Sequence, residues 1–388
     1  MAGVELRQPV AAGVSIALVG YTSTFVVILS GLRAVGASPA EATSGLIVLS
    51  AVTGAGNIWF SLRHRKPFTL AWSTPGAAVL ASAGAVGGWP DAVGAFAVTG
   101  LLIVATGLWS RLGDLIKAIP APIAQGMLAG VVLQICLVPL AGIYRYPWQV
   151  GAMFATWLVL FLVAARWAVP AVFAVMLIVV GIDGGWSGGL GDRLLPHLTW
   201  TTPHLSWEAI VGVAIPLYVV TMAAQNVPGV AIMGSFGYRV PWRESMTMTG
   251  IGTVVCAPFG AHAMNLAAIS AAVPASEESH PDPARRWPAA TAFGAAFVVL
   301  AAVTAPLTAY LGPAPAAVLG TVAALGLLST LASAVNAMAA DPDDRIPATL
   351  TFLVAASDVT IAGVGSAFWA LVVGIVVHLV MKARRSQA

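Results

Sequence analysis

The chain has 388 residues, of which 59% are hydrophobic and only 9% charged, with a formal net charge of +3. An average soluble domain is about 25% charged, so the composition excludes a soluble globular protein. The slight basic excess is what cytoplasmic loops give a membrane protein, and it implies no affinity for nucleic acid.

Arg7 precedes an apolar run from Val10 to Leu32. That run is too long for a signal-peptide core of about 7–15 residues and reads as a first membrane span. A bilayer core of about 30 Å takes about 20 apolar residues per helix. With that ruler seven crossings are predicted over 10–32, 42–62, 69–83, 91–109, 119–142, 149–165 and 168–182. A loop from Asp183 to Ser206 follows, rich in Gly, Trp and Pro, with no long apolar run. Seven more crossings are predicted over 207–237, 241–257, 259–273, 287–311, 314–339, 345–357 and 361–381. The expected fold is therefore all-α and polytopic, with about 14 transmembrane segments. Segments 69–83 and 259–273 are too short for ordinary spans, and each is third in its half.

Seven crossings per half invert the second half relative to the first. The predicted organisation is a 7+7 inverted repeat: 1–182, an inter-repeat loop over 183–206, and 207–388. With the N-terminus in the cytoplasm, only Arg33, Arg145 and Arg193 of the 18 Lys and Arg residues fall outside, and the other 15 fall inside. That is the positive-inside pattern, and it puts both termini in the cytoplasm. No Asp or Glu stands at the middle of an apolar segment, where a proton pump or cation antiporter normally keeps one. Asp358, between the last two crossings, is the one ambiguous carboxylate. The interior suits a negatively charged ligand instead.

Backbone that breaks helix inside lipid is tolerated only where protein or a water-filled cavity receives it. Interrupted segments at matching places in two halves point to a transporter's binding site. Here the matching pair is Trp72-Ser73-Thr74-Pro75-Gly76-Ala77 and Pro258-Phe259-Gly260-Ala261-His262-Ala263-Met264-Asn265. Thr74-Pro75-Gly76 has the grammar of a helix start, a hydroxyl cap followed by proline. A helix begun at mid-membrane aims unpaired N–H groups and a positive dipole end at a cavity, where a carboxylate fits. Phe259, Gly260 and Ala261 are expected to do the same from the other half, so that two short half-helices, at segments 3 and 10, face each other. A plain kink is the alternative for each proline-glycine pair taken alone.

Gln225 and Asn226 stand within segment 8, ahead of Pro228-Gly229, which would bend or unwind the helix. Their amides suit an anion, or else serve as interhelical glue. Tyr21 occupies the corresponding first-half segment, as an aromatic wall or hydroxyl. His262 is deep in an apolar segment, either carrying a coupled proton or acting as a neutral donor, with Asn265 nearby. The two cysteines, Cys136 and Cys256, read as small buried hydrophobes. No nucleotide-binding loop, metal-ligand set or nucleophile–base pair is visible, so neither a cofactor nor an enzyme is expected.

Gln225-Asn226-Val227-Pro228-Gly229 and the run from Pro258 to Ile269 resemble the benzoate/proton symporter (BenE) family over essentially the whole chain. Thr74-Pro75-Gly76-Ala77 and Gly365-Ser366-Ala367-Phe368-Trp369 fit the same family. The resemblance implies a bacterial inner-membrane secondary transporter that imports an aromatic carboxylate with a proton. It further implies the uracil permease and anion transporter architecture. There a core domain of segments 1–4 and 8–11 meets a gate domain of segments 5–7 and 12–14, with substrate between segments 3 and 10. The gate helices would be the surface of a homodimer. Uracil permeases keep glutamates where this chain has Gln225/Asn226 and His262/Asn265, which departs from a glutamate-based proton route. The rival expectations are a carrier or channel for another planar or anionic solute, a nucleobase or an inorganic anion.

Overall fold

The computed structural model describes residues 6–84, 87–109, 111–112, 118–183 and 195–385, and the fold is 78% helical. The first half runs α1 (Arg7–Ala34), α2 (Pro39–His64), β1 (Leu70–Trp72), α3 (Thr74–Ala83), α4 (Trp89–Leu108), α5 (Ala121–Gly142), α6 (Pro147–Ala164) and α7 (Ala168–Ile182). The second runs α8 (Trp207–Ser235), α9 (Trp242–Cys256), β2 (Met264–Leu266), α10 (Ala272–Ala275), α11 (Trp287–Leu311), α12 (Ala316–Met338), α13 (Arg345–Ala356) and α14 (Ser366–Arg385). Thirteen of the expected segments hold one of these helices, whereas 259–273 is mostly extended or 3-10 and takes in only Ala272 and Val273 of α10. Among the described residues, nine stretches are long and apolar enough to cross a membrane, with α6 and α7 counted as one. The four helices outside that set are α3, α9, α10 and α13.

Local sequence explains several of these elements. Ser38 and Glu41 form a reciprocal capping box ahead of α2, with Pro39 at its first position, so two orphan N–H groups are satisfied at once. In α8 the turns Ile210–Ala214 and Met222–Asn226 are π-helical. Pro216 and Pro228 follow them closely. A proline lacks an N–H and its ring crowds the carbonyl four residues back, so the preceding turn widens rather than continuing as α. Pro228-Gly229 therefore opens the helix by one residue per turn and leaves it unbroken.

Glycines decide where helices cross. A Cβ on Gly54 of α2 would lie 2.6 Å from the Gly294 carbonyl of α11, and one on Gly100 of α4 2.8 Å from the Gly250 carbonyl of α9. Both crossings need glycine on each helix. Such small-residue contacts are how membrane helices approach when lipid offers no hydrophobic drive between them. Around these crossings α1 packs on α3 and α11, and α8 on α3 and α4. A second group forms where α5 packs on α12 and α13, α13 on α14, and α6 on α7. The groups meet where α1 touches α7 and α12, and where α3 touches α5.

The α1–α12 contact is tight at one point, since a Cβ on Gly326 would sit 2.4 Å from the Ser23 carbonyl. Overpacking of this kind costs about 1–3 kcal/mol, enough to shift a two-state equilibrium roughly 5- to 150-fold. Gly326→Val should therefore lower the melting temperature in detergent by several degrees while the protein still folds. Thermal unfolding checks this, and an unchanged midpoint would show that α12 yields freely.

Candidate functional site

The two chain breaks pair with each other. β1 and β2 run antiparallel in the register Leu70↔Leu266, Ala71↔Asn265 and Trp72↔Met264. The ladder is extended at both ends, where Ser73 N–H donates to the Ala263 carbonyl at 3.0 Å and Ala267 N–H to the Thr69 carbonyl at 2.9 Å. Segments 69–83 and 259–273 are thus neighbours, as their short lengths led one to expect.

A two-stranded ladder has two outer edges, and inside a membrane no water satisfies them. Side chains on flanking helices do so here. Asn57 of α2 accepts from Leu70 N–H at 2.8 Å and donates to the Leu70 carbonyl at 2.9 Å. On the other edge, Met264 N–H donates to Thr253 Oγ1 at 3.0 Å, and Leu266 N–H donates to Asn226 Oδ1 at 2.9 Å. Just beyond, Ala268 N–H donates to Gln225 Oε1 at 3.2 Å. The π turn of α8 is what lets adjacent residues, Gln225 and Asn226, both reach the strand and its continuation.

The helix start after β1 falls one residue earlier than the sequence grammar places it. Ser73, not Thr74, is the cap, and its Oγ accepts from Gly76 N–H at 3.1 Å. That hydroxyl also bonds Thr221 Oγ1 of α8 at 2.7 Å. A Cβ on Gly76 would come within 2.6 Å of Ser73 Oγ and 2.4 Å of Leu217 Cδ1, so the cap requires glycine there. With Pro75 lacking a donor and Gly76 bonded to the cap, the Thr74 N–H is the donor left at this start.

The second break departs further from expectation. Pro258-Phe259-Gly260-Ala261 does not start a half-helix. Ala257–Phe259 is a 3-10 turn that finishes α9, and Gly260 ends it at φ 93°, the left-handed residue that terminates helices. Gly260 packs against Gly45 of α2, whose Cβ would lie 2.4 Å from the Gly260 carbonyl. The Phe259 ring meets Trp200 edge-on at 5.2 Å, away from the ladder. Helical structure resumes only with the 3-10 turn Ile269–Ala271 and the four residues of α10. Two half-helix dipoles therefore do not oppose each other; only α3 is long enough to act as one. Ala77-Ala78-Val79-Leu80-Ala81-Ser82 of α3 and Ala271-Ala272-Val273-Pro274-Ala275-Ser276 around α10 are identical at five of six positions.

Beside the ladder lies a cavity of about 470 Å³ between the two helix groups, within the roughly 300–1,000 Å³ of small-molecule sites. Thr74, Pro75, Gln225, Pro228, Ala268 and Ser270 line it from the chain breaks and α8. Trp72, Phe293 and Phe297 form an aromatic side. The two Phe rings stack with centroids 4.7 Å apart, and Trp72 meets Phe297 at 5.1 Å. Trp72 is oriented by its Nε1–H, which donates to Thr24 Oγ1 at 2.8 Å. Gln125 of α5 and Ser329, Thr330 and Ser333 of α12 line the cavity from the second helix group. No carboxylate lines the cavity among the described residues. The amide nitrogen of Gln225 makes no protein hydrogen bond among them, so the cavity offers it a carboxylate or water.

Of the sequence-predicted site residues, the structure brings Thr74, Pro75 and Gln225 together on this cavity. Gly76, Ala77, Asn226, His262 and Asn265 are buried behind it. Gly229 is buried against the Ala267 carbonyl, which a Cβ would approach to 2.8 Å. Tyr21 lies one layer back, its hydroxyl 2.6 Å from Thr304 Oγ1 and its ring 5.5 Å from Trp72. His262 Nε2–H donates to the Ser73 carbonyl at 2.9 Å, while its Nδ1 and Asn265 Oδ1 have no partner among the described residues. Phe293 and Phe297 were missed. Their one signal was an i, i+4 aromatic pair in a helix otherwise rich in alanine, a pattern that by itself reads as core packing.

The benzoate membrane transport protein model matches residues 6–380. The chain belongs to the BenE family. It is 34% identical over 372 residues to "Inner membrane protein YdcO" of Escherichia coli K12, covering 95% of both chains. It is 24% identical over 377 residues to the "Benzoate membrane transport protein" of Acinetobacter baylyi, covering 95% of this chain and 94% of that one. Solved structures show the same fold. SLC26A9 aligns with TM-score 0.66 at 14% identity, over 98% of this chain and 65% of that one, so this chain spans less than two thirds of that protein. The transmembrane domain of the cyanobacterial bicarbonate transporter BicA aligns with TM-score 0.56 at 16% identity, over 97% of both. This BenE-family chain is thus a multi-pass membrane transporter and not an enzyme.

Proposed function

We propose that this chain imports benzoate or a similar aromatic carboxylate with a proton across a bacterial inner membrane. The observation that carries this reading is the cavity itself. Its lining combines an aromatic wall of Trp72, Phe293 and Phe297 with amide and hydroxyl donors, and no described lining residue is a carboxylate. An aromatic ring stacks on such a wall, and its carboxylate reaches the Thr74 N–H and the Gln225 amide. The name of the Acinetobacter relative agrees with that substrate.

In the same reading the halves are inverted repeats with both termini cytoplasmic. Segments 1–4 and 8–11 are a core that carries the substrate, and segments 5–7 and 12–14 are a gate that also forms a homodimer. The packing groups and the five-of-six match around α3 and α10 support this division. His262 serves as a neutral pin for the α3 start, because its Nε2–H is committed to the Ser73 carbonyl and a proton added at the fully buried Nδ1 would meet no acceptor among the described residues. The proton then travels on the substrate or through water.

Uptake of labelled benzoate, uracil and sulfate into proteoliposomes, with and without an imposed pH gradient, tests the reading. Benzoate alone should accumulate, and only with the gradient. Uracil or sulfate accumulation would replace the substrate, and gradient-independent flux would make the protein a channel. His262→Gln keeps a donor for Ser73, and it should retain both benzoate exchange and gradient-driven accumulation. Loss of accumulation alone would return the proton to His262.

A further inference from the structure

Among the described residues lining the cavity, Arg166 alone carries a formal charge. It sits on the 3-10 turn Ala165–Trp167 between α6 and α7. Its Nη1 lies 2.8 Å from Oε1 of Glu278, which follows α10 and so belongs to the opposite helix group. The Glu278 carbonyl in turn accepts from Gln8 Nε2 at 3.1 Å. A second cavity, of about 410 Å³, opens at this pair and shares Ile16, Val19 and Arg166 with the first. Together the two cavities follow one face of α1 from Gln8 to Thr24, a rise of about 24 Å along the helix. Arg166 stands where they join.

The side chains of Arg166 and Glu278 are 66% and 52% exposed. An ion pair so exposed is weak, so a rival carboxylate displaces Glu278 with little opposition. A guanidinium binds a ligand carboxylate in the same forked geometry that it offers a glutamate. We propose that Arg166, on the cytoplasmic side in the charge reading above, is an exit station for the imported substrate's carboxylate at the mouth of this path, with Glu278 as its placeholder. Arrival of the anion frees Glu278 and so removes one bond between the two helix groups. This rests on the aromatic-carboxylate reading above.

Equilibrium binding of labelled benzoate to the purified full chain tests it, with wild type beside Arg166→Gln, Glu278→Gln and the exchanged pair Arg166→Glu/Glu278→Arg. Arg166→Gln should raise Kd about two- to fivefold, the weight of an ion pair at so exposed a guanidinium. Glu278→Gln should lower Kd about two- to fivefold, the weight of an exposed ion pair, and misfolding cannot imitate tighter binding. The exchanged pair rebuilds the bridge but puts a carboxylate on the path, so its Kd should stay raised. Wild-type Kd in the exchanged pair would make the bridge a strut and overturn the proposal, as would unchanged or weaker binding in Glu278→Gln. Wild type that binds no benzoate would overturn the functional reading and this inference together. Wild-type binding with unaffected variants would overturn this inference alone.

Discussion

Asn57→Ala should be the most destabilising single change near the site. The Asn57 side chain holds both the N–H and the carbonyl of Leu70 and also donates to the Thr53 carbonyl at 2.8 Å. Its removal strands two backbone groups on the outer edge of β1, in a place with no water to replace the amide. Each stranded group costs about 1–3 kcal/mol, against a total stability of about 5–15 kcal/mol for an ordinary domain. The expected result is a large fall in thermal stability in detergent and little folded protein. Asn57→Asp keeps the acceptor for Leu70 N–H but loses the donor and buries a charge, so it should fare no better. A melting temperature within a degree or two of wild type in both variants would show that β1 does not depend on this amide.

Gln225→Ala and Asn226→Ala should fail in opposite ways, although the residues are adjacent and chemically alike. Gln225 lines the cavity with an amide nitrogen that has no protein partner among the described residues, so in the reading proposed above its loss removes a hydrogen bond to the substrate carboxylate. Such a bond to a charged group is worth about 1.5–3 kcal/mol, or roughly 10- to 100-fold in affinity. The Ala268 N–H that it also serves belongs to a residue on the cavity, where water can take over. Asn226 is fully buried and holds Leu266 N–H, so Asn226→Ala should lower the melting temperature and leave the affinity of the folded fraction nearly unchanged. Benzoate binding and thermal unfolding, measured on both variants, decide the matter. Equal losses of affinity at normal stability would put both amides in the substrate site. Normal affinity in both would make both of them glue.

That contrast marks where sequence reading stops. Periodicity locates segment 8, and the polar pair inside it announces a task, but both amides satisfy the same chemical description. Which one meets the ligand depends on the π turn ahead of Pro228 and on where β2 passes, and neither is local information.

The membrane class, the mostly helical polytopic fold, the adjacency of the short segments 69–83 and 259–273 and the family were legible in the chain itself. Hydropathy and helix-breaking residues are properties of consecutive positions, and lipid leaves them few structural options. The helix start at Thr74-Pro75-Gly76 was legible to within one residue for the same reason. The second break was not, because Pro258-Phe259-Gly260 reads equally well as a beginning or an end. Gly260 becomes an end only because Gly45 of α2 presses against it and the chain must then stay extended to pair with β1. Asn57, Phe293 and Phe297 were likewise invisible as site residues, since β1, β2 and the cavity wall exist only after segments far apart in sequence have packed. The chain determined which parts cannot be plain helix; the tertiary structure decided what those parts face, because every backbone group they expose must find a partner inside the protein.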